Sequence, residues 1–213
     1  MEFRKRMDPY LAFRNISPTT LADVLTASQV LSAAIHPLWS GMPRVAGPAY
    51  TVRCGPGDNL MLHAAIYRAP PGAVVVVEGG DTEFALAGGN VCAVAHRRQI
   101  AGFVLDGSVR DIAEIRDLRF PVFARGVVPI AGSKRLIGAL NTPVRCGGVV
   151  IEPRDAIVAD EEGIVAVPHA ALDATLTAAT AKLARESAQT LDDWQADHRT
   201  RIDRILRDNG FTD

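Results

Sequence analysis

Four consecutive valines, Val74 to Val77, set between Pro70-Pro71-Gly72 and Gly79-Gly80, constrain this chain more than any other feature. β-Branched side chains lose rotamer freedom in a helix and pack well on a pleated surface, and a run without polar alternation leaves no face for water. The run therefore predicts a central strand covered on both sides. Residues 49–54 alternate like a half-buried strand and stop at Gly55-Pro56-Gly57, while 102–105 and 121–124 read as further short buried strands. Helical patterns fall between them, over 58–68, from Gly88-Gly89-Asn90 through His96, and over 109–118. Such alternation predicts an α/β chain with a largely parallel sheet and function in the loops at strand ends.

The flanks read differently. Ser17 before Pro18 pairs a capping hydroxyl with a proline at the first helical position, so a helix is expected from there to about Val30. From 144 to 167 short β segments separated by turn residues suggest a second sheet layer. Residues 168–208 carry apolar positions at helical intervals until Asn209-Gly210, and so long a C-terminal helix on a modest domain is expected to pack on a neighbouring subunit. With 213 residues, 48% of them hydrophobic, and no linker, the whole of 1–213 is read as a single domain.

A net charge of -1, with both signs scattered, lacks the footprint of a nucleic-acid or anionic-membrane binder. Cys54, Cys92 and Cys146 are far apart and share no metal-ligand spacing, as suits buried, reduced thiols. Residues 1–8 are charged and lack the apolar region of a signal peptide, and no run approaches the ~20 apolar residues of a membrane span. A cytoplasmic protein is expected.

Chemistry concentrates in two segments, Gly88-Gly89-Asn90-Val91 and Asp106-Gly107-Ser108-Val109-Arg110-Asp111. Both lie where a strand end meets a helix N-terminus, so backbone N–H groups and helix dipoles can converge on an anion. Arg110 offers a planar fork for a carboxylate, and Asp111 a hard oxygen of the kind that holds Mg²⁺ with several waters. A solvated helix start with Asp111 serving the dipole would show the same two residues. His63, amid apolar residues, reads as a packed core histidine, and His96, before Arg97-Arg98, as a helix-end one. No dinucleotide or phosphate-loop glycine pattern is present, which speaks against methyl transfer from a nucleotide-like donor.

Gly57-Asp58-Asn59-Leu60 with His63-Ala64-Ala65-Ile66, Pro71-Gly72 before the valines, the segment ending in Arg110-Asp111, then 120–126, Gly147-Gly148-Val149-Val150 and Val158-Ala159-Asp160 together resemble the RraA-like, or 4-hydroxy-4-methyl-2-oxoglutarate aldolase, family. The resemblance implies layered sheets with flanking helices, the swivelling β/β/α fold, assembled as homotrimers or homohexamers with sites between subunits. It implies a Mg²⁺- or Mn²⁺-dependent lyase on a short 2-oxo acid, a class II pyruvate aldolase or oxaloacetate decarboxylase. One branch instead regulates an RNA-degrading enzyme, so a ring that binds but has lost catalysis is the rival reading.

Carried over by residue, the resemblance makes Arg110 the substrate contact and Asp111 the metal ligand, with Gly88, Gly89, Asn90 and Val91 donating backbone N–H groups to the oxo acid. Glu186 is the match for a glutamate that reaches the metal's water shell from a neighbouring subunit, with Asp160, Glu161 and Glu162 as the fallback. One departure stands out. Aldolase members carry an aspartate after the first glycine of the turn, where this chain has Gly89. Glycine cannot accept a proton, so decarboxylation is expected to survive better than aldol cleavage, with Asp81, Glu83 and His96 as candidate substitutes and Asp106 as a residue orienting the Arg110 loop.

Overall fold

The computed structural model describes residues 9–211, so the charged start over 1–8 lies outside the described residues. In chain order the elements are α1 (Pro9–Ala12), α2 (Pro18–Val24), β1 (His36–Pro37), β2 (Val45–Arg53), α3 (Leu60–Ala65), β3 (Val74–Glu78), β4 (Ala85–Ala87), α4 (Gly89–Arg97), β5 (Gly102–Val109), α5 (Ile112–Asp117), β6 (Val122–Val127), β7 (Val144–Cys146), β8 (Val149–Ile151), β9 (Ala156–Asp160), β10 (Gly163–Val167), α6 (Leu172–Ala188) and α7 (Leu191–Asp208). Eight strands form one mixed sheet in the order β1-β6-β5-β3-β2-β9-β10, with β4 paired to β5, while β7 and β8 form a separate antiparallel ribbon.

The valines lie in β3, parallel to both β2 and β5. Val75 and Val77 pack with Phe103, Leu105 and Val122 against α3, α4 and α5, whereas Val74 and Val76 face an interior shared with Ile157, Ile164, Val144 and Ile151. The outer faces of β9 and β10 then bury Val158, Val165 and Val167 against Phe13, Leu21 and Ala179 of the terminal helical segments. Two β faces thus enclose one core and each carries helices outside, an α/β fold with a nearly closed mixed sheet.

The expected second layer is continuous with the first. β2 is nine residues long: 45–48 pair antiparallel with β9 and 49–53 pair parallel with β3. Pro48, which has no N–H to give a ladder, marks the change of partner.

Several helices differ from expectation. α2 ends at Val24 because Thr26 and Gln29 form a capping box that opens a separate 3₁₀ turn. α3 begins only after Asn59, since the Asp58 carboxylate, besides accepting from Leu60 N, is held by Ser133 and Arg135. Residues 109–111 are strand end and loop rather than helix, with Asp111 left-handed at φ 60°. The C-terminal helix is two helices, broken where Thr190 caps α7 through a capping box with Asp193. No helix among the described residues is long and apolar enough to cross a membrane.

Candidate functional site

β4 ends at Ala87, the extended Gly88 that follows caps α4, and β5 ends beside it. The Arg110 backbone N–H donates to Ala87 O at 3.0 Å, tying the end of β5 to the start of the Gly-Gly turn. Asp111, which as an aspartate tolerates the left-handed backbone, turns its carboxylate back to accept from the Gly89 N–H at 3.1 Å. Arg110 Nε lies 3.4 Å from Asp111 Oδ2, with the two side chains 45% and 35% exposed. The sequence brought this pair to the junction of a strand and a helix start but counted both residues in the helix, whereas they follow the strand end. It did not foresee that Asp111 itself engages one of the helix N–H groups reserved for the oxo acid.

Side-chain carboxylates closely approach both glycines. A Cβ built on Gly88 would fall on the Asp111 carboxylate, and one built on Gly89 would fall on the Glu114 carboxylate, 2.8 Å from its Cδ. Glu114, in the first turn of α5, thus occupies the space that a side chain at position 89 would need. Sequence reasoning missed this residue; the signal was the spacing Asp111-x-x-Glu114, which brings two carboxylates onto neighbouring turns of one helix start.

Arg110, Asp111, Gly88, Asn90 and Val91 open on a cavity of about 200 Å³ whose other wall is Asn59, His63 and Lys134. His63 is half-buried on this wall rather than packed in the core; burial and then the Lys134 charge lower its pKa, so it is neutral at pH 7. Asn59 Nδ2 donates to Ala85 O at 3.1 Å, while its Oδ1 is buried with no partner among the described residues. Cys92, beneath the turn, is pushed up to about 12 by burial and then by Asp111, so it is a neutral thiol. Cys54 is likewise pushed up, to about 11, chiefly by burial, and burial raises Cys146 as well.

The other candidates lie elsewhere. Asp81 accepts from the Gly57, Glu83 and Phe84 N–H groups as a turn residue. Asp106 pairs with Arg125 and accepts from Gly147 N, so it anchors the β7–β8 ribbon instead of orienting Arg110. Glu83 joins them around a separate open concavity, and His96 is exposed at the end of α4. Asp160 is paired with Arg44 and caps its own turn at Glu162 N, as a turn between strands would have it. Glu186 is ion-paired to Lys182 beside a different, larger and more open concavity between α6 and α7, so one chain does not bring it to Asp111.

Both Asp111 and Glu114 present hard carboxylate oxygens, a donor set that suits Mg²⁺ or Mn²⁺ completed by water and ligand oxygens. Among the described residues no cluster of three or more His, Cys, Asp or Glu could hold an ion alone.

Comparison with known proteins bears on the family and the fold. The RraA-like family, described as Aldolase/RraA, matches residues 18–166. A protein of Halalkalibacterium halodurans, provisionally named a 4-hydroxy-4-methyl-2-oxoglutarate aldolase, is 41% identical over 178 residues, covering 83% of this chain and 84% of its own. An uncharacterized protein from Pseudomonas syringae superposes with TM-score 0.77 at 25% identity, over 92% of this chain and 98% of its own. Streptomyces coelicolor RraAS2, described as an unusual member of the RNase ES inhibitor RraA family, superposes with TM-score 0.76 at 27% identity, over 86% of this chain and 96% of its own.

Proposed function

Because the chain belongs to the RraA-like family, we propose that it is a divalent-metal-dependent carbon–carbon lyase acting on a short 2-oxo acid, by oxaloacetate decarboxylation, by aldol cleavage of the 4-hydroxy-4-methyl-2-oxoglutarate type, or by both. The observation that carries this reading is Arg110 and Asp111 on one cavity beside the Gly88-Gly89 turn, with the Glu114 carboxylate packed against Gly89.

Asp111 is the residue that would hold Mg²⁺ or Mn²⁺, with Glu114 orienting water around it; when bound, the ion supplies Lewis-acid stabilisation of the charge that develops on the oxo oxygen. Arg110 offers its planar fork to the substrate's carboxylate or oxo oxygen, where fixed positive charge favours the enolate over the ketone. The Asn90 and Val91 N–H groups at the start of α4 add the positive end of the helix dipole. The Glu114 carboxylate, in the place of the missing aspartate, is the acceptor for the hydroxyl proton released in aldol cleavage, directly or through one water. With that base present, Gly89 no longer argues for a ring that merely binds.

The test is turnover of oxaloacetate and of 4-hydroxy-4-methyl-2-oxoglutarate with and without a chelator. Turnover that falls to background with chelator and returns with Mg²⁺ or Mn²⁺ is expected, together with a loss of at least about 100-fold in Asp111→Ala. Chelator-insensitive turnover, or an Asp111→Ala variant with unchanged kinetics, refutes the assignment.

A further inference from the structure

We infer that α7 docks against α7 of a second copy of this chain, the two helices running antiparallel. None of its residues is buried, yet it carries Leu191, Trp194, Ile202, Ile205 and Leu206, with Leu191 75% and Trp194 47% exposed. At 3.6 residues per turn these fall with His198 along one stripe, and the Trp194 and His198 rings stack on it with centroids 4.5 Å apart. A continuous apolar stripe in water, rather than apolar residues scattered singly, marks an interaction surface. The helix also lies beyond the 18–166 region that the family model matches.

The charge pattern names the occupant. The first half of α7 holds Asp192, Asp193 and Asp197; the second holds Arg199, Arg201, Arg204 and Arg207, broken by Asp203 and Asp208. The helix macrodipole accounts for Asp192 and Asp193 in the first turn and Arg207 in the last, but its effect is spent within a turn and it does not account for Asp197, Arg199, Arg201 or Arg204. On the helical wheel Asp193, Arg204 and Arg207 point away from the stripe, while Asp192, Arg199 and Asp203 flank one side of it and Asp197, Arg201 and Asp208 the other. An antiparallel copy centred near Thr200 sets Arg199 beside Asp203 of the second copy and Asp197 beside its Arg201, and a two-fold axis makes the arrangement self-complementary. A parallel copy would set like charge on like.

Sedimentation of the full chain tests the pairing, and disulfide trapping tests its direction. Ile202→Glu with Ile205→Glu is expected to halve the mass of the assembly and to shift Trp194 emission to the red, with helix content kept by circular dichroism. In separate experiments, mixing a His198→Cys variant with an Ile202→Cys variant is expected to trap mainly the mixed disulfide, because antiparallel helices centred near Thr200 bring 198 of one opposite 202 of the other. An unchanged mass in the glutamate variant overturns the pairing, as would an assembly held by a different protein; disulfides mainly between identical variants overturn the antiparallel direction.

Discussion

At the scale of single residues the site turns on an exchange of position between Gly89 and Glu114. A Cβ at position 89 would meet the carboxylate of the exposed Glu114 side chain and have to displace it, so the two positions are coupled through one volume. Glu114→Ala is expected to lower aldol cleavage by about 100-fold, the usual size of a lost general base, and Gly89→Asp alone to impair it by displacing the Glu114 carboxylate. Gly89→Asp combined with Glu114→Ala removes the collision and returns a carboxylate, so kcat should recover most of the loss; a double variant no better than Glu114→Ala would show that Glu114 acts otherwise. Arg110→Lys should raise KM for the oxo acid by about 10-fold or more while folding normally, since an ammonium cannot reproduce the bidentate contact. Arg110 and Asp111 were legible in the sequence because a strand end before a helix start advertises itself through Gly and charged residues. Glu114 was hidden because its partner is a missing side chain, and Asn59 and Lys134 because only the folded chain brings α3 against the loop after β6.

At the scale of elements, that loop is held by one carboxylate. Asp58 accepts from Ser133 Oγ at 2.7 Å and from Arg135 N at 2.6 Å, so the residues on both sides of Lys134 are fastened to the start of α3. Burial alone would raise the Asp58 pKa, but the hydrogen bonds from Ser133, Leu60, Arg135 and Leu136 outweigh it and hold the group below its ordinary value. A carboxyl whose folded pKa is depressed contributes stability above its unfolded pKa of about 3.9 and loses it as pH falls through the folded value. Asp58→Ala should therefore unfold at lower urea than the parent at pH 7, and the two midpoints should converge as the pH is taken below 4; a constant gap would assign the loss to packing. The valine strand was legible for the reason given at the outset, that its residues admit only one environment. The partner change within β2 was not, because only 49–54 reads as a strand while Gly47 and Pro48 before it read as loop, and pairing is decided by where β9 returns.

At the scale of the whole molecule, a single chain leaves its chemistry too wet. Arg110 and Asp111 are 45% and 35% exposed, and charge stabilisation of an enolate is weak where water screens it. Around the same cavity the segments that supply Ala131 and Lys134 also expose Ile130, Leu136 and Ile137, apolar area consistent with a covering subunit. Glu186, held by Lys182 on α6, stands at a different concavity of its own chain and can meet Asp111 only across such a contact. If the two residues serve one shared site, Asp111→Ala and Glu186→Ala variants should each be impaired, yet dissociating and reassembling them together should restore activity, because about a quarter of the interfaces in a random mixture join two intact halves. The recovered rate, measured against the equimolar mean of the separate variants, decides the matter: no recovery would place the whole site within one chain and leave Glu186 to its ion pair.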